Sequence, residues 1–125
     1  MEFSRNEQIA IAKVGKILVL ADGRLDENEM AGYDLELSRI GVSTADDLEK
    51  VLALTEDMEP AAACSVISKM DEEKKTYVSA FLGTLMVIDE SIDKRELAVW
   101  GVVGQLCGLP SMTVGEAVKY MENLK

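Results

Sequence analysis

Residues 18–41 read LVLADGRLDENEMAGYDLELSRIG, and how that stretch divides decides the fold. Its first residues continue the apolar series Ile9, Ile11, Val14, Ile17 and Leu18, whose spacing is that of one helix face. The spacing predicts that this helix ends near Asp22, with Gly23 free to take the left-handed conformation that terminates helices. Asp26 and Glu29 then read as a capping box, the side chain of each satisfying a backbone N–H of the other's turn. Met30, Tyr33, Leu37 and Ile40 follow at helical spacing, and Gly41 closes the second helix. The stretch is therefore helix, acidic turn, helix.

The same pattern returns as LMVIDESIDKRELAVWGVVGQLCG at residues 85–108. Leu18 pairs with Leu85, Asp22 with Asp89, Asp26 with Asp93, Glu29 with Glu96 and Gly41 with Gly108. The offset is constant (89 − 22 and 108 − 41 both give 67). Tyr33 and Trp100 are equivalent aromatics. A helix–turn–helix unit is duplicated within the chain.

Between and around the repeats, further helix starts recur. Ser4 and Glu7 form a capping box, Ser43 or Thr44 opens a third helix, and Pro60 sits in the first turn of a fourth. Asp71 caps a fifth, whose first-turn acids complement the helix dipole. A sixth runs from Asp93 to about Cys107 and is stopped by Pro110; Thr113 and Glu116 cap a seventh. No strand alternation is sustained. At 125 residues the chain is expected to be one domain, residues 1–125: an all-α compact bundle of six to eight helices built on the duplicated unit.

Composition narrows the chemistry. Thirteen basic against 23 acidic residues leave a net charge of −10, which opposes a nucleic-acid surface or an anionic membrane and suits cations or basic partners; its plain reading is solubility. The absence of histidine removes the commonest general acid/base and the imidazole metal ligands. Cys64 and Cys107 sit in apolar helical contexts and read as core thiols, with a disulfide or a reactive thiol as the alternative. No signal peptide stands out, and the longest apolar runs fall short of the about 20 residues a membrane span needs. A cytoplasmic location fits. Gly101, Gly104 and Gly108 form a small-residue stripe, expected to lie against another helix such as the one holding residues 60–64.

Neither acidic turn is a calcium-binding loop. With Asp22 at the fifth position and Gly23 at the sixth, Asp26 and Glu29 take the ninth and twelfth. The first and third then fall on Leu18 and Leu20, and in the second copy on Leu85 and Val87, expected core residues that cannot coordinate an ion. Asp26 and Asp93 are natural helix caps. Asp22 and Asp89, expected at helix C-termini, face the negative end of the dipole, which speaks for a cation near each turn unless they bond turn N–H groups.

Two in-register copies of an acidic DxxxDxxE turn, ADGRLDENE and IDESIDKRE, in a small acidic all-α chain resemble the TerB-like tellurite-resistance family. The N-terminal domain of DjlA-type membrane co-chaperones is similar. The second copy carries Glu90 where the family commonly has glycine. The resemblance implies a conserved acidic, metal-binding surface, carried here by Asp22, Asp26, Glu29, Asp89, Asp93 and Glu96. Carboxylate oxygens suit calcium, magnesium or manganese. It further implies a non-enzymatic stress-response module, linked to tellurite or metal stress, with protein partners and association near the membrane face through a partner rather than by insertion. Direct binding of the tellurite anion is opposed by the negative field. The alternative is a structural protein-interaction domain whose acidic turns are caps; it predicts an exposed cluster of Met, Leu or Trp. An enzyme would need a pocket holding several carboxylates of raised pKa, and no such cleft is suggested.

Overall fold

Local signals set most of the helix starts. Ser4 Oγ accepts from the Glu7 backbone N–H at 3.1 Å while Glu7 Oε1 accepts from the Ser4 N–H at 2.9 Å. Thr113 and Glu116 repeat this reciprocal box, and Thr44 and Asp71 each cap through a side-chain oxygen. The computed structural model describes residues 1–21, 27–87 and 94–124, without the side chains of Asn28 and Glu29. Seven helices lie among the described residues: α1 Arg5–Val19, α2 Glu27–Arg39, α3 Ala45–Asp57, α4 Pro60–Ser68, α5 Glu72–Leu85, α6 Lys94–Cys107 and α7 Val114–Glu122. The described residues contain no strand, so the all-α bundle is as expected.

The duplication is visible in the helix boundaries. Shifting α1 and α2 by the repeat offset of 67 places them on α5 and α6 to within one residue. Both second helices end in the same Schellman motif, in which a glycine with positive φ lets two backbone N–H groups turn back onto the last turn's carbonyls. Val42 N–H donates to Leu37 O and Gly41 N–H to Ser38 O; Leu109 N–H donates to Gly104 O and Gly108 N–H to Gln105 O. The glycines have φ of 104° and 68°. The residue after each, Val42 or Leu109, is buried, which adds the apolar contact typical of the motif.

α1 is the axis of the bundle and touches α2, α3, α4, α5 and α6, while α5 packs most extensively on α7. Gly15 lies where the rings of Tyr33 and Phe81 and the side chain of Leu85 converge on α1. Tyr33 is fully buried and donates its hydroxyl proton to Ala12 O, so its polar atom is satisfied inside the core. Its repeat-mate Trp100 rests instead on Gly83 of α5. Gln8 is buried and donates to Ile40 O at 2.9 Å, tying α1 to the end of α2.

Glu36 is a carboxylate inside this core. It is 4% exposed, and its Oε2 accepts no hydrogen bond from the described protein groups although Arg39 Nε stands 3.6 Å away. Burial raises its pKa, and Arg39 offsets only part of that. A raised carboxyl pKa means the folded protein favours the protonated form. The contribution to stability is then fully present below the unfolded-state pKa and lost as pH rises through the folded one. Glu36→Gln is expected to stabilise the protein by about 1 kcal/mol at pH 7, with the gain shrinking to zero near pH 4, as read by melting temperatures across that range.

Two expectations are corrected. α1 stops at Val19 and α5 at Leu85, followed by turn residues, so Asp22 and Asp89 come three and four positions after the last helical residue. Backbone bonds from Leu20 to Lys16 O and from Ala21 to Leu18 O tighten and end α1 early. Glycine 23 and both aspartates lie outside the described residues. The glycine stripe of α6 is not a packing face either. A Cβ at Gly101 or Gly104 meets no described atom within 4 Å, because α6 turns Val103 and Cys107 toward the core and leaves those glycines on its outer side.

Candidate functional site

The two acidic stretches fall in the sequence between α1 and α2 and between α5 and α6. Asp22, Asp26, Asp89 and Asp93 lie outside the described residues, as does the Glu29 side chain. Glu96 is described: it occupies the first turn of α6, where a carboxylate complements the dipole, and is 6% exposed. Of the residues aligned with the first and third loop positions, Leu18 and Leu85 are core, as expected. Leu20 is 39% exposed and Val87 is half-buried, because both follow the ends of their helices. Among the described residues, no three Asp, Glu or Cys side chains gather as a metal site.

A different feature lies among α1, α4 and α6. Facing stripes of α1, α4 and α6 enclose a groove of about 790 Å³. Val14 and Ile17 of α1 form its floor, Ala61, Cys64, Ser65 and Ser68 of α4 one wall, and Val99, Val102, Val103 and Leu106 of α6 the other. Each set recurs at steps of three or four residues, so every helix presents one continuous stripe. Apart from the two serines and the Cys64 thiol, these lining side chains are apolar. Val102 and Leu106 stand on the outer wall, 56% and 68% exposed.

Exposed apolar side chains of this size on one helix face are a feature of binding surfaces. The sequence did carry a signal for them. In α6, Leu97, Val99, Trp100, Val102, Val103, Leu106 and Cys107 cover more of the helix circumference than one core face needs. Of the Met, Leu or Trp cluster expected of an interaction domain, α6 exposes Leu97 and Leu106, together with Val102, whereas Trp100 is buried.

Among the described residues the groove has no charged lining side chain. Elsewhere the surface is laced by ion pairs: Arg5 with Asp47, Lys16 with Glu56, and Lys74 with Glu7. Lys74 also lies over the Phe3 ring, pinning the N-terminal residues to α5. No helix among the described residues is long and apolar enough to cross a membrane.

No family model and no curated protein matches the sequence. A crystal structure of a protein of unknown function from Porphyromonas gingivalis is similar throughout, with a TM-score of 0.89 and 41% identity. The match covers 98% of this chain and 92% of that one.

Proposed function

Because this chain belongs to the same family as the Porphyromonas gingivalis protein of unknown function, a kinship that carries no activity with it, we propose a function from the site itself. The protein is a non-enzymatic binding module that receives a basic amphipathic helix of a partner protein in the α1/α4/α6 groove. The observation that carries this is the groove's construction from three helical stripes with an exposed Val102–Leu106 wall. Such a trough fits the i, i+3, i+4, i+7 side chains of an incoming helix. The net charge of −10 argues that the helix is basic on its polar face, because opposite charge speeds encounter and disfavours acidic competitors.

The test is a titration with a helical peptide bearing Leu at i, i+3, i+4 and i+7 and Lys on its remaining face. Val102→Asp/Leu106→Asp is expected to weaken binding by about tenfold or more. Both positions are exposed, so the variant should keep its melting temperature to within a few degrees. Equal binding by the variant sinks the reading. So does capture of a fluorescent fatty acid in preference to the peptide, which would make the groove an acyl-chain site.

A second reading comes with the TerB-like resemblance: the acidic turns hold calcium, magnesium or manganese, in the setting of tellurite or metal stress. It is supported by Glu96, a buried carboxylate in the first turn of α6. The expected result is a saturable rise in the melting temperature of EDTA-stripped protein as the cation is added, lost in Asp22→Ala/Asp89→Ala. Binding to the native state alone adds about 2.7 kcal/mol at a hundredfold excess over Kd. An unchanged melting temperature would leave the turns as caps.

A further inference from the structure

Cys64 on α4 and Cys107 at the end of α6 are free thiols far apart in sequence, yet the Cys107 thiol donates to Cys64 Sγ at 2.9 Å. That separation is under 1 Å longer than the about 2.0 Å of a disulfide bond. The two sulfurs differ in access. Cys107 is fully buried, whereas Cys64 is half-buried and lines the apolar groove, through which a small uncharged oxidant reaches it. They differ in chemistry as well. Burial pushes the Cys107 thiol far above its ordinary range, and its bond to Cys64 holds the proton in place. Cys107 therefore stays a thiol that donates to the Cys64 sulfur, and Cys64, which lines the groove, is the sulfur an incoming oxidant meets first.

We propose that Cys64 and Cys107 form a reversible intramolecular disulfide with a hydroperoxide as oxidant, a modification site that cross-links α4 to α6 alongside the groove. In the first step the Cys64 sulfur, its proton passed to solvent, attacks one oxygen of hydrogen peroxide. The O–O bond breaks, the departing hydroxide takes up that proton and leaves as water, and Cys64 becomes a sulfenic acid. In the second step Cys107 sulfur attacks Cys64 sulfur; the S–O bond breaks, and the departing hydroxide leaves as water with the Cys107 proton. Two thiols are oxidised and one peroxide is reduced to two waters. A dithiol reverses the reaction by exchange through a mixed disulfide. The proposal does not depend on what occupies the groove.

The experiment uses the full chain, reduced under argon, exposed to hydrogen peroxide while folded and then alkylated with N-ethylmaleimide in denaturant. The expected product is a monomer lighter by about 2 Da, carrying no maleimide and restored by dithiothreitol. Its melting temperature should rise by roughly 5–10 °C, because the bond closes a long loop in the unfolded chain. Cys107→Ser should stop at a sulfenic acid that dimedone traps on Cys64, and Cys64→Ser should leave Cys107 unreacted. Two maleimides on the peroxide-treated wild type, a disulfide-linked dimer, or oxygen adducts without the mass loss would each overturn the proposal. The wild-type mass reading holds even if a serine variant folds poorly.

Discussion

Gly83→Val is expected to cost about 3 kcal/mol or more of folding stability, and Gly83→Ala about 2 kcal/mol. On helix propensity alone the alanine change should help by about 1 kcal/mol, because glycine loses the most backbone entropy in a helix. The packing of α5 on α7 reverses the sign. A Cβ at Gly83 would lie 2.6 Å from Ala117 Cβ and 2.9 Å from Trp100 Cζ2, closer than side-chain carbons approach one another. Ala117 is fixed to the α7 backbone, and the Trp100 ring is wedged in the core, so neither neighbour can retreat without moving a helix. The built-in control is Gly101→Ala and Gly104→Ala on α6, where the added carbon meets no described atom within 4 Å. Those should be stabilising by about 0.5–1 kcal/mol each. Urea and thermal unfolding of the four variants decide it. A stabilised Gly83→Ala would show that α5 and α7 do not approach so closely.

Phe81→Ala is expected to remove about 3–5 kcal/mol, a large part of the about 5–15 kcal/mol that holds a domain of this size together. Phe81 is fully buried, and its ring edge approaches Gly15 at the junction of α1, α2 and α5. It also lies 6.5 Å from the Tyr77 ring, in the range of a tilted aromatic pair. Truncation removes the transfer free energy of the ring and leaves a cavity between three helices. Those helices are tied by further contacts and can close on the void only in part. The denaturation midpoint should fall while the m-value stays constant, and the melting temperature should drop by roughly 10–20 °C. A loss under about 1 kcal/mol would mean the site collapses freely and the core is looser than its burial indicates.

The fold was largely legible in the sequence because its signals are local. Ser4 with Glu7, and Thr113 with Glu116, bond across three residues, so the boundary of each helix is encoded beside it. The duplication was legible for the same reason: matching turns, caps and terminal glycines fix matching helices, down to the paired Schellman motifs at Gly41 and Gly108. The early end of α1 was missed because several weak signals compete there, and Gly23 is only one of them.

The candidate groove was legible only as an excess of apolar surface on α6. Which side of a helix faces its neighbours depends on elements distant in the chain, and spacing within one helix carries no record of them. Gly101 and Gly104 therefore looked like a contact stripe and proved to be outward, while Gly83, unremarked in the sequence, is where α5 meets Trp100 and α7 most closely.

By itself, then, the sequence determined the helices, their order and their twofold repetition, since hydrogen bonds and apolar periodicity within a few residues suffice for these. Only the tertiary structure decided that α1, α4 and α6 leave a trough between them, and that Cys64 and Cys107 meet beside it at 2.9 Å. Both depend on how whole helices pack, a balance of shape and burial summed over the entire core.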